Sequence, residues 1–181
     1  MALRIIFIVF ALLSLPANGQ KYFTRSGITE FEASEKAFEP IEAINESTTA
    51  IMDLSSGVIV SQVFMAGFQF KNALMQEHFN ENYMESNQYP KATFKGKLDN
   101  FSLDDLKSNE PIPLSGMLTI KGVEKKIQTT VSITQDQNGL SLTGMFAVNP
   151  EDFNIKIPVI VQEKIADMVH INLNYQLFEK K

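Results

Sequence analysis

The 181-residue chain has no cysteine, no tryptophan and only two histidines. Without cysteine there are no disulfides, thiol nucleophiles or zinc–thiolate sites, and a thioether-linked lipid at a processed N-terminus is excluded. Positive charge is also scarce, with 16 Lys+Arg against 21 Asp+Glu. That acidic balance argues against a nucleic-acid footprint, which needs a basic face. Glycine-rich phosphate loops, G-x-S-x-G and H-E-x-x-H are missing, so catalysis has no visible machinery. The longest apolar run, residues 5–15, is broken only by Ser14. It is too short to cross a bilayer core, which takes roughly 20 helical residues.

That run instead fits a signal peptide. Arg4 precedes it, Pro16 ends it, and Ala17 and Gly19 place small residues at −3 and −1 of a cut before Gln20. The expectation is export to a periplasmic or extracellular space, with residues 1–19 removed and residues 20–181 forming one domain. No later run suggests stable membrane insertion. Without Arg4, 15 Lys+Arg stand against 21 Asp+Glu, a formal charge of −6. Removing 19 of 181 residues leaves 162, enough to bury a sizeable core without disulfides.

Phenylalanine is abundant, with 14 residues. Most of those rings must be buried, in a core or around a ligand. The dominant period is two. Ala92, Phe94, Gly96 and Leu98 alternate with Lys91, Thr93, Lys95 and Lys97. Further on, Ile127, Thr129, Val131 and Ile133 alternate with polar residues, Leu140, Leu142, Phe146 and Val148 line one face, and Val169, Ile171, Leu173, Tyr175 and Leu177 again alternate with polar residues. Gly122-Val123 and Asn138-Gly139 are turn signals between these runs. Earlier strands are expected at 27–34, 47–54 and 57–70. The last of these reads as apolar on both faces, with Val58, Val60, Phe64, Phe68 and Phe70 against Ile59, Val63 and Met65. Short strands at this spacing predict a closed barrel or a sandwich.

One segment breaks the pattern. From an Asn72 cap, Met75, Phe79 and Tyr83 recur every four residues beside a row of Leu74 and His78, and Pro90 ends the region. This predicts a short amphipathic helix over a barrel mouth or flank. A weaker helical turn is expected after Pro158. His78 has three readings: one member of a metal site with Glu81, a hydrogen-bonding residue at a helix–barrel seam, or a polar contact to a ligand headgroup. A metal needs further ligands, and the only other histidine, His170, lies on a polar strand face; no metal or cofactor is expected. Asp104/Asp105 and Glu151/Asp152 read as solvated turn residues. Asn45-Glu46-Ser47 and Asn100-Phe101-Ser102 match glycosylation sequons.

The stretch 68–96 resembles the signature of the YceI-like family through Phe68, Phe70, His78, Tyr83, Tyr89, Pro90 and Phe94. Gly116, Leu118, Thr119, Ile120, Gly122 and Lys126 resemble its G-x-L-T-I-x-G hairpin, and Asp152, Phe153 and Ile155 its later acidic-aromatic turn. Together the matches keep the family's order over roughly residues 20–178. The resemblance implies an all-β fold: an extended, antiparallel, lipocalin-like β-barrel of about eight strands, exported, with one or two short helices. It implies a long-chain apolar or isoprenoid ligand held inside. The candidate lining is Phe68, Phe70, Phe94, Leu98, Leu118, Ile120, Val131, Ile133, Phe146 and Ile171, with Met75, Phe79 and Tyr83 closing one end and His78 near a headgroup. A ligand-free interaction scaffold linked to stress, or a secreted enzyme centred on His78, are the alternatives. An exposed edge or mouth leaves room for a homodimer.

Overall fold

A computed structural model describes residues 20–35, 39–108 and 110–180; the expected signal peptide lies outside them. Among the described residues nine strands form one antiparallel sheet: β1 (Lys21–Ser34), β2 (Glu42–Asp53), β3 (Val58–Phe64), β4 (Gln69–Phe70), β5 (Lys91–Leu98), β6 (Ile112–Ile120), β7 (Val123–Asp136), β8 (Gly139–Val148) and β9 (Ile165–Glu179). The order β1-β9-β8-β7-β6-β5-β3-β2 closes through β1–β2 pairing, so eight strands make a barrel, and the short β4 pairs with Ala43 and Ile44 of β2 further along the edge that β3 occupies. Closure removes the open edges that an antiparallel sheet otherwise presents. The chain is therefore an all-β, lipocalin-like barrel, and the sandwich alternative falls.

The turns form where local chemistry demands them. β6 and β7 are joined by Lys121-Gly122, both at positive φ (48° and 76°), with Ile120 paired to Val123. Two positive φ values define the type I′ turn that matches strand twist, and glycine supplies one without steric cost. The β7–β8 turn is held by Asp136, whose Oδ1 accepts from the N–H groups of Asn138 (2.7 Å) and Gly139 (3.0 Å).

Strand β3 departs from expectation. Val60 and Phe64 are exposed, so the strand is wet on one face rather than buried on both. Ile59, Ser61 and Val63 point into the barrel. A 3₁₀ turn at Met65–Gly67 then shifts the phase, so that Met65, Phe68 and Phe70 all reach the interior. Asn45 fixes that turn. It is fully buried; its Nδ2 donates to the Phe64 carbonyl (2.9 Å), and its Oδ1 accepts from the Ser47 N–H and hydroxyl (2.8 Å each). A β-carbon on Gly67 would lie 2.6 Å from Asn45 Nδ2, so the turn has room only for glycine. The same burial removes Asn45 as a glycan acceptor in the folded protein.

The helical segments are short. Helix α1 (Ala73–His78) starts at Asn72, whose Oδ1 accepts from the N–H groups of Leu74 (2.9 Å) and Met75 (3.4 Å). It widens into a π turn over Phe79–Tyr83. Helix α2 (Asp105–Ser108) buries Leu106, and α3 (Val159–Gln162) follows Pro158. Among the described residues no helix is long and apolar enough to cross a membrane.

The barrel interior divides into two layers. At one end Met52, Leu98, Ile133, Leu140, Leu142 and Leu177 are fully buried in one packed cluster, of which Leu142 also borders the chamber. At the other, Met65, Phe68, Leu118, Ile120 and Phe153 form a second cluster that lines open space. Phe94 packs against both. Its ring lies over the paired glycines Gly96 and Gly116; a β-carbon on Gly116 would sit 2.6 Å from Phe94 Cε2. Two missing side chains thus make the bed for one ring, which floors the chamber.

Candidate functional site: an apolar chamber in the barrel

The chamber encloses about 370 Å³. That lies in the range of small-molecule cavities, roughly 300–1,000 Å³, and far above the volume one water needs. Its wall is almost wholly apolar. An eight-stranded barrel filled with large side chains along its whole length would leave no such space.

Eleven of the sequence candidates meet there. Phe68, Phe70 and Phe94 come from β3–β5 and the turn between them, and Leu118, Ile120, Phe146 and Ile171 from β6, β8 and β9. Met75, His78, Phe79 and Tyr83 come from α1 and its π turn. Leu98, Val131 and Ile133 do not line the chamber. They are at most 1% exposed and belong to the packed layer beneath Phe94. Alternation places a residue inside a barrel but says nothing of its height along the axis.

Four rings interlock near the mouth. Phe31 stacks on Phe79 (centroids 5.4 Å apart, planes 25° apart) and meets Phe68 at 5.3 Å and Phe70 at 5.6 Å. Phe79 in turn meets Phe70 at 5.1 Å and Phe68 at 5.7 Å. Offset and edge-on pairs at these separations are worth about 0.5–1.5 kcal/mol each beyond their burial. They fasten the helical segment to β1 and β4. The wide turn is what carries Phe79 and Tyr83 down to the chamber along with Met75.

Sequence reasoning missed several wall residues. Phe31 was readable from the alternation of Gly27, Thr29, Phe31 and Ala33. Phe153, Ile155, Ile157 and Val161 had a weaker signal, because they lie after β8 on short turns, irregular backbone and the one-turn helix α3. Phe153 is placed by a 3₁₀ turn, Pro150–Phe153, capped by Asn149, whose Oδ1 accepts from the Glu151 N–H (2.9 Å), and ended by Asn154 at φ 57°.

Polar groups are few and segregated. His78 and Lys164 line the chamber yet are solvent-exposed, and so mark its mouth. Lys71 pairs with Glu42 outside the chamber. At the floor, Tyr175 is buried with Thr29 and Thr48: the Thr29 hydroxyl lies 2.8 Å from that of Thr48 and 3.0 Å from the Tyr175 phenol. Burial raises the phenol's pKa above its usual value, while the Thr29, Ser61 and Thr48 hydroxyls pull it back. Among the described residues no three His, Cys, Asp or Glu side chains are grouped to hold a metal ion.

A closed antiparallel barrel with an apolar chamber under a helical rim has a lipocalin-like architecture. Residues 23–177 match the YceI-like domain, and the chain belongs to that family. Solved structures agree on the fold. BcnA of Burkholderia cenocepacia is 18% identical, covers 83% of this chain and 94% of its own, and superposes with a TM-score of 0.68. A polyisoprenoid binding domain from Saccharophagus degradans, implicated in plant cell wall breakdown, is 12% identical, with 88% and 97% coverage and a TM-score of 0.69. The YCEI protein of Campylobacter jejuni is 19% identical, with 80% and 87% coverage and a TM-score of 0.62. No curated protein matches the chain.

Proposed function

We propose that this protein is an exported binding protein that holds an amphipathic isoprenoid or similar lipid in its barrel. The observation that carries the reading is the chamber itself: about 370 Å³ bounded by phenylalanine, methionine and aliphatic side chains, in a barrel that packs tightly elsewhere. Holding an apolar wall open to water costs on the order of 25 cal/mol per Å² of surface, a cost that an apolar chain removes by filling it. Met65, Met75 and Met84 in the wall adapt to a flexible chain. The polyisoprenoid-binding designation of the Saccharophagus degradans domain supports the same ligand class. Export is supported by the charge, apolar run and small residues of segment 1–19.

The test is chemical. Protein purified from its native host is extracted with organic solvent and the extract analysed by mass spectrometry. A lipid-like molecule in stoichiometric amount is expected, and an intact mass that starts at Gln20. Repeated preparations that carry no lipid and take up no added geranylgeraniol would sink the binding reading. An intact mass that retains residues 1–19 would sink export.

A further inference from the structure

Thr29 on β1, Thr48 on β2, Ser61 on β3 and Tyr175 on β9 stand on four adjacent strands and line one side of the chamber. All lie near the level of the floor: Ser61 pairs in register with Phe94, and Tyr175 with Leu142 of the packed layer. The Thr29 hydroxyl joins those of Thr48 (2.8 Å) and Tyr175 (3.0 Å), and Ser61 lines the chamber beside them. Each hydroxyl has one hydrogen to donate, and the two bonds centred on Thr29 use two of the four, which leaves hydrogens to spare for a ligand. Ser61 takes part in neither bond. It points inward yet is only half-buried, and what it is exposed to is the chamber, whereas Thr48 is closed off. A wall meant only to be apolar would carry valine and phenylalanine here and desolvate no hydroxyls.

We infer that Ser61 and Tyr175 form a subsite at the chamber floor for a neutral oxygen group, a carbonyl or hydroxyl, borne by the apolar ligand. The inference rests on the reading that the chamber holds a ligand, and it adds an orientation: the oxygen-bearing end goes in first. The group is neutral because Lys164, the cation among the lining residues described, stands at the mouth with His78. A phosphate taken to the floor would lose its hydration with no charge to meet it.

The experiment compares geranylgeraniol with phytane, a hydrocarbon of the same carbon number, by native mass spectrometry from detergent on the wild type and on Ser61→Ala and Tyr175→Phe. Loss of one uncharged hydrogen bond is expected to weaken the alcohol about fivefold while leaving phytane within about twofold. Thermal unfolding of Ser61→Ala close to wild type shows that the fold is kept. If both ligands shift alike, or neither shifts, the subsite is wrong and the binding reading stands. Geranylgeranyl diphosphate binding more tightly than the alcohol and indifferent to both substitutions would also overturn the subsite, by placing the head at the mouth. Wild-type protein that takes up none of the three ligands would overturn the binding reading, and the subsite with it.

Discussion

Below Phe94 most inward side chains of the barrel are packed into one buried cluster, with Ile59, Leu114 and Leu142 at its upper face; above Phe94 they line open space. Both halves are built from the same strands and the same alternation, so strand periodicity does not create the difference. Side-chain choice and backbone irregularity do. In the lower half Leu98, Val131, Ile133, Leu140 and Leu177 come from regular strand and fill the section. In the upper half much of the wall comes from the Met65–Gly67 turn, the π turn and the stretch after β8, which push the wall outward and roof it with rings. One half supplies stability and the other space.

The largest expected effect breaks the lower half. Leu98 is fully buried among packed neighbours, so Leu98→Ala leaves a cavity the barrel cannot collapse around and should cost about 3–4 kcal/mol. Chemical denaturation measures it. The same truncation in the chamber wall, Phe146→Ala, removes a ring that already borders empty space. It should cost less than half as much in ligand-free protein, yet weaken ligand uptake. Equal costs at the two positions would show that the chamber is not open in solution.

Next in size is the floor. A β-carbon on Gly116 would lie 2.5 Å from Gly96 Cα and 2.6 Å from the Lys95 carbonyl oxygen, both backbone atoms, as well as 2.6 Å from the Phe94 ring. Gly116→Ala should therefore destabilise by about 2–3 kcal/mol through overpacking. Because Phe94 must lift from its bed, the loss should come with altered chamber volume, read as changed ligand affinity. Stability lost with affinity untouched would argue that Phe94 does not floor the chamber.

A smaller effect is expected at the turn that shapes the upper wall. Asn45→Ala leaves the Phe64 carbonyl and the Ser47 groups without their partner, at about 1–3 kcal/mol. The damage should be local to the mouth, so hydrogen exchange should speed up around residues 64–70 while the lower strands stay protected. Uniform loss of protection would show that the two halves unfold as one.

Much of this division was invisible in the sequence, and the reasons are physical. Alternation in 91–98, 127–133 and 139–148 gives strands and their inward faces, and the lysines on the outer face of β5 and the Asn-Gly turn confirm the phase. Leu98, Val131 and Ile133 look the same as Leu118 and Ile120 in that code, because height along a barrel is set by register with neighbours that are distant in sequence. The apparent two-faced burial of 57–70 was two one-faced segments joined by a phase-shifting turn, and the cause, Asn45, lies twenty residues upstream and resembles a glycosylation signal. Asn72 and the spacing of Met75, Phe79 and Tyr83 did announce the helical rim. The hydroxyl group at the floor could not be read from sequence, since its four members sit on separate strands and each alone is an ordinary inward threonine, serine or tyrosine.

That hydroxyl group lies where the two halves meet, and it supplies the smallest predicted effect. Tyr175 is buried and its pKa is raised above the ordinary value of 10.0, chiefly by loss of solvent. Folding therefore favours the neutral phenol. Its contribution is complete below the unfolded-state pKa and is lost as pH climbs through the folded one, so the wild type should weaken above about pH 10 by more than its exposed groups account for. Tyr175→Phe cannot ionise there. The stability difference between wild type and Tyr175→Phe, measured by denaturation at pH 8 and again near pH 11, should shift in favour of the variant by about 1 kcal/mol or less. Tyr22 and Tyr83, also raised by burial, are present in both proteins and cancel in the difference. A difference that stays flat with pH would mean that the phenol is solvated, and hence that the chamber reaches deeper than Phe94 and the boundary between the halves lies lower in the barrel.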